Sequence, residues 1–66
     1  MPKIKLKKAS KTTVDGWYKK KRDYSITDNE IGKSIGLTRR RVSQALNRYE
    51  VNPKDIELIT NFFNNY

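Results

Sequence analysis

Residues 27–47 read Thr27-Asp28-Asn29-Glu30-Ile31-Gly32-Lys33-Ser34-Ile35-Gly36-Leu37-Thr38-Arg39-Arg40-Arg41-Val42-Ser43-Gln44-Ala45-Leu46-Asn47. Two helix starts stand in this stretch. Thr27 and Glu30 form a capping box: the Thr27 hydroxyl can accept from the residue-30 amide while the Glu30 carboxylate reaches back. Ile26 and Ile31 bracket it as a hydrophobic staple. Thr38 repeats the signal, stapled by Leu37 and Val42. Gly36 falls where the first helix must end, a position that favours left-handed backbone and carries no Cβ penalty for glycine. A third start follows outside the stretch. Asn52 caps, Pro53 takes the first helical position, and Val51 with Ile56 makes the staple. The spacing predicts helices over 28–35, 39–48 and 53–64.

The first two of these helices are separated by a turn of about three residues, as a helix-turn-helix requires. Ile31, Ile35, Leu37, Val42, Ala45 and Leu46 can point inward, and Gly32 is small where the two helices would approach. Upstream, residues 12–22 carry two competing signals. Val14, Trp17, Tyr18 and Lys21 recur at helical spacing, and the basic residues 19–22 would then sit at a helix C-terminus, where the dipole favours them. Asp15-Gly16 between β-forming residues reads instead as a hairpin turn. A helix is preferred because the downstream helices need a further one to close a core, with Trp17 and Tyr18 packed into it. Met1–Lys8 alternates lysine with Ile4 and Leu6, which suits a strand, but no second strand stands out to pair with it. It is read as a flexible basic arm, the alternative being a strand paired across a dimer. The expected fold is all-α: a compact four-helix domain containing a helix-turn-helix over residues 12–66, preceded by a basic N-terminal arm over residues 1–11.

Composition narrows the function classes. The chain has 66 residues, a net charge of +8 and neither cysteine nor histidine. Disulfides and thiolate or imidazole zinc sites are therefore excluded, leaving helix packing, helped by any dimerisation, to hold a small core. The charge is concentrated upstream: residues 1–22 hold nine Lys or Arg against one Asp. With a pI near 10.0, this points to a polyanionic partner. A membrane surface fits poorly, because the basic segment offers only Ile4 and Leu6 as apolar residues. No apolar run is long enough to span a bilayer, and the N-terminus lacks the apolar stretch of a signal peptide, so the chain is expected to be mature and cytoplasmic, associated with the nucleoid of a prokaryotic or phage-infected cell. Enzymatic activity is not expected. No His or Cys is available as base or nucleophile, no glycine-rich phosphate loop exists, and Asp28 and Glu30 are explained by capping. No cofactor, metal or small-molecule ligand is called for.

The run Ile31–Asn47 quoted above resembles the helix-turn-helix of the lambda-repressor-like superfamily, which includes phage CI and Cro repressors and the LacI-type headpiece. The likeness extends to residues 13–63, but its specific part is 27–47. It implies an all-helical bundle that binds operator DNA by sequence, usually as a homodimer. The chain departs from LacI-type proteins in having no effector domain, and from lambda Cro in that a helix rather than strands is expected at its end, so a dimer interface cannot be carried over from either.

Helical geometry sorts the side chains of 39–48. At 100° per residue, with Val42 inward, Ala45, Leu46 and Tyr49 fall within about 40–60° of it. Arg40, Gln44 and Asn47 lie nearly opposite. Arg39 and Ser43 flank on one side, Arg41 and Arg48 on the other. A major groove accepts such a helix, with Arg suited to guanine and Gln to adenine. Arg40 and Gln44 are the expected main base readers, followed by Arg39 and Ser43 and then Asn47, and the resemblance supports these positions. Expected phosphate contacts are Thr27 and the amides beside it, with Lys33, Thr38, Arg41, Arg48 and Lys54; Tyr49 fits either a phosphate or the core. Ile56, Ile59 and Phe63 define the inner face of the last helix, and Leu58 and Phe62 widen it toward a homodimer interface.

The function expected from these readings is that of a sequence-specific double-stranded DNA-binding transcriptional regulator, a small repressor of the phage or plasmid kind acting on a palindromic operator. The alternatives are an architectural, excisionase-like recombination accessory protein and an RNA-binding module dominated by the basic N-terminus. The aromatics recur at helical spacing rather than interleaved with basic residues on strands, which argues against the RNA reading.

Overall fold

A computed structural model describes residues 5–66; Ile4, part of the upstream alternation, lies outside the described residues. Four helices follow in chain order: α1 (Lys11–Tyr24), α2 (Asp28–Ile35), α3 (Arg39–Leu46) and α4 (Pro53–Asn64). Each begins on a side-chain oxygen that accepts an otherwise orphaned amide. Ser10 accepts from Thr13, Thr27 from Glu30, Thr38 from Arg41 and Asn52 from Lys54. The three caps expected from sequence are thus in place, and Ser10 adds a fourth.

Residues 12–22 are helical, and α1 runs past them at both ends. The hairpin signal at Asp15-Gly16 loses because a helix buries Val14 and Trp17 together, each to 3% exposure. Trp17 stacks on Phe63 of α4, ring centroids 6.1 Å apart. Tyr18 does not join it in the core. It remains 42% exposed, since it stands one residue round the helix from Trp17 and faces α3 across the surface. The centre of the core is Ile31, Val42, Ala45, Leu46, Ile59 and Phe63, all at or below 2% exposure.

The turn between α2 and α3 occupies Gly36–Thr38. Gly36 is left-handed, with φ 75°. The amides of Gly36 and Leu37 both donate to the Gly32 carbonyl, the latter at 2.9 Å. Gly32 is small for a reason the sequence only half indicates. A Cβ there would come within 2.5 Å of the Leu37 carbonyl oxygen, so the close approach is to the turn itself rather than to the opposing helix.

One helix end and the reading of the upstream segment as a flexible arm differ from expectation. The third helix ends at Leu46, not at residue 48. The Asn47, Arg48 and Tyr49 amides bond back to the Ser43, Ala45 and Gln44 carbonyls, and Arg48 takes a left-handed φ of 63°. Helical extrapolation therefore fails for Tyr49, which is 63% exposed instead of inward. The chain turns here so that Val51 can be buried. Val51 exchanges both backbone hydrogen bonds with Lys7, at 2.9 and 3.0 Å, in an isolated antiparallel bridge. Ala9 is buried to 3%. The upstream segment is thus fastened to the domain from Lys7 onward, by a pairing within the chain.

Because the atom a Gly32 side chain would meet is backbone, Gly32→Ala is expected to cost about 2 kcal/mol, with Gly36→Ala costing about 1 kcal/mol through its left-handed backbone. Urea denaturation followed by circular dichroism measures both. A neutral Gly32→Ala would show that the turn after α2 can shift away without penalty.

Candidate nucleic-acid interface

α3 buries Val42, Ala45 and Leu46, leaving Arg39 and Arg40 exposed and Ser43 and Gln44 half-buried. Arg39, Arg40, Ser43, Gln44 and Asn47, the five expected base-contacting residues, line one open depression together with Tyr49. Tyr49 reaches this surface only because the chain leaves the helix at Leu46. Among the described residues no carboxylate pairs with Arg39 or Arg40. Both guanidiniums are exposed, on the first turn of the helix.

Asn47 is tied down. Its Oδ1 accepts from the Tyr18 hydroxyl at 3.2 Å, and its Nδ2 donates to Ser43 Oγ at 3.2 Å. Tyr18 belongs to α1, a long sequence distance away, and helical spacing alone drew it toward the core.

The six expected phosphate contacts fall into different circumstances. Lys33 and Lys54 are exposed, one near the end of α2 and one at the start of α4. The Thr27 and Thr38 oxygens accept backbone amides as caps, which leaves each hydroxyl hydrogen available as a donor. Thr27 shares a second depression with Lys21, Ile26, Asp28, Asn29 and Arg39, where Lys21 is ion-paired with Asp28. Arg48 donates from Nε to the Ala9 carbonyl at 3.3 Å.

Arg41 is the residue whose surroundings differ most from the expectation. Its Nε and a terminal nitrogen grip both oxygens of Asp55, at 3.1 and 2.7 Å. The Asp55 side chain is only 5% exposed and that of Arg41 is 49%. A two-point guanidinium–carboxylate pair is short, directional and strong, so Arg41 joins α3 to the first turn of α4 and is not a free cation. Nothing in Arg39-Arg40-Arg41 marks which of the three has this partner, and Asp55, in the first turn of α4, lies on a different helix.

The upstream charge also has a place. Lys8 lines a depression with Gln44, Asn47, Arg48, Tyr49 and Glu50. That surface shares Gln44, Asn47 and Tyr49 with the face of α3. The Lys7–Val51 bridge and the Arg48–Ala9 bond thus deliver the basic segment beside the C-terminal end of α3.

No group of three or more metal-ligating side chains is assembled among the described residues, nor is any helix among them long and apolar enough to cross a membrane. Comparison with models of protein families, with curated proteins and with solved structures yields no match.

Removing Arg41 would strand a buried carboxylate. Arg41→Ala is therefore expected to destabilise the fold by about 2–3 kcal/mol, at the low end for a buried pair because the arginine is half exposed. Arg40→Ala should stay within about 0.5 kcal/mol of the parent. Urea midpoints of the two variants test this contrast; equal midpoints would make the Arg41–Asp55 pair energetically idle.

Proposed function

We propose that this protein is a sequence-specific double-stranded DNA-binding transcriptional regulator, a small repressor of the phage or plasmid kind that lays α3 in the major groove. The observation that carries the reading is the outward face of α3. It gathers two exposed arginines, an exposed asparagine and a half-buried serine and glutamine along one open depression, and neither arginine has a carboxylate partner among the described residues. The inner face of the helix is fully spent on the core. A helix is the element a major groove accepts, and these side chains match its donor and acceptor pattern. Arg40 and Gln44 act as the main readers, with Arg39 beside them. Lys33, Lys54, Thr27, Thr38 and Arg48 serve as contacts to the DNA backbone; Arg41 serves the fold first.

The resemblance to the lambda-repressor-like superfamily supports the same reading and adds a homodimer on a palindromic operator. Leu58 and Phe62 of α4, with Ile35 and Tyr66, line a shallow surface that shares no residue with the outward face of α3, and this is the proposed dimer contact. Action on nucleoid DNA in a bacterial or phage-infected cell follows from the same reading.

Selection of bound sequences from random duplexes, followed by footprinting, tests it. A defined motif is expected, with half-sites about one helical turn apart. Arg40→Ala should weaken cognate binding by about 1–3 kcal/mol and relax one base position; an equal loss on random DNA would make Arg40 a phosphate contact instead. No enrichment at all would overturn the function.

The basic segment makes a separate prediction. Because residues 7–9 help to hold the fold, truncation would confound charge with stability. Lys5, Lys7 and Lys8 replaced together by Gln should keep the motif while lowering the log–log salt slope by about 0.9 for each phosphate no longer neutralised. An unchanged slope, read by fluorescence anisotropy across a salt series, would remove these lysines from the interface.

A further inference from the structure

The face of α3 is not furnished by α3 alone. Tyr18 of α1 donates its hydroxyl hydrogen to Asn47 Oδ1, and Asn47 Nδ2 donates onward to Ser43 Oγ, both at 3.2 Å. The ring of Tyr18 is itself held. Lys21 Nζ stands 5.3 Å from its centroid, close enough for a cation–π contact, and Lys21 is ion-paired with Asp28 at the start of α2. A continuous chain of polar contacts therefore runs Asp28–Lys21–Tyr18–Asn47–Ser43, from the first turn of α2, across α1, onto the outward surface of α3.

This chain has a direction, and the direction has a chemical consequence. An asparagine reads adenine by using both ends of its amide, Oδ1 for the N6 amine and Nδ2 for N7. Here the Tyr18 hydroxyl takes one of the two lone pairs of Oδ1 while Nδ2 donates to Ser43, so both ends of the amide already have partners within the protein. The Ser43 oxygen accepts from Asn47, which leaves its own hydrogen to donate. Asn47 retains one further N–H. The pair is thereby set to offer donors, and an edge made of two acceptors, such as guanine N7 and O6, suits it better than the mixed edge of adenine.

We propose that Tyr18, which lies outside the helix-turn-helix, is a positioning residue for base recognition. It orients Asn47 so that Ser43 and Asn47 act together as donors and favour guanine over adenine at one position of each half-site. The proposal rests on the reading of α3 as the DNA-binding helix. It goes beyond that reading by assigning a specificity role to α1 and a base preference to the Ser43–Asn47 pair.

The experiment compares the full chain with Tyr18→Phe, Asn47→Ala and the double variant by selection from random duplexes, by affinity for the selected duplex and for a random one, and by thermal melting. The free proteins are also compared by the NMR signals of the Asn47 side-chain amide. Tyr18→Phe removes one exposed hydroxyl and should melt with the parent. It is expected to lose roughly threefold to tenfold in affinity for the selected duplex, the range of one net hydrogen bond. Its preference at one position should shift from guanine toward adenine, with random-duplex affinity unchanged within about twofold. Asn47→Ala should lose preference at the same position, and adding Tyr18→Phe to it should cost nothing further, because the relay is already broken. The Asn47 amide signals of the free protein should move in Tyr18→Phe. An unaltered base profile in Tyr18→Phe, additive losses in the double variant, or unmoved Asn47 amide signals would each overturn the role of Tyr18 while leaving α3 as the reader. A parent protein without any base preference would overturn the DNA-binding reading itself and this assignment with it.

Discussion

The structure depends on how closely α2 can approach the turn that follows it. The Gly32 carbonyl takes two amides from that turn, and its Cα leaves no room for a Cβ beneath the Leu37 carbonyl. Gly36 supplies the left-handed residue that lets the chain reverse. Together these fix where Thr38 begins α3 and hence how α3 is rotated about its axis. Rotation is the quantity that matters. Once Val42, Ala45 and Leu46 face Ile31 and Ile59, the identity of every outward residue is decided. The apolar core drives the association, but it is tolerant of small shifts. The backbone contact at Gly32 is not, and it converts a general hydrophobic attraction into one register.

Much of this is legible in the amino-acid sequence, for local reasons. Capping residues act over three positions and staples over five, so Thr27, Thr38 and Asn52 announce their helices through neighbours in the chain. Gly36 likewise answers a local backbone demand. The outward positions of α3 follow from the inward ones by helical geometry. Tyr49 and Arg48 are misplaced where that geometry is extended beyond its end. The helix stops at Leu46, and Val51 beyond it pairs with Lys7, a contact between distant positions that residues 46–49 do not announce. The Tyr18–Asn47 and Arg41–Asp55 contacts are invisible for the same reason. Each joins separate helices, and pairing between distant positions depends on how those helices pack.

The three consecutive arginines of α3 show how packing sorts chemically identical side chains. Arg39 and Arg40 keep their guanidiniums on an exposed face that also holds Ser43 and Gln44. Arg41, one position further on, swings by about 100° to the side where α4 starts and meets Asp55. A carboxylate buried that deeply needs a charged partner, and the arginine fork satisfies both its oxygens at once. The net charge of α3 overstates the charge available to a ligand by one. The same reasoning applies to Lys21, spent on Asp28, and makes the unpaired residues rather than the total charge the measure of the interface.

The basic segment is the other half of that measure. Read as a tail, it would contribute long-range attraction without position. Fastened by Lys7 to Val51 and by Ala9 to Arg48, it holds Lys8 beside Gln44, Asn47 and Tyr49. An anchored cation spends less conformational entropy on meeting a phosphate than one on a free tail. Its contacts are also confined to whatever lies beyond the C-terminal end of α3. The left-handed Arg48 therefore links two functions of the sequence: ending the helix that carries the reading face, and holding in place the lysine-rich segment upstream of α1.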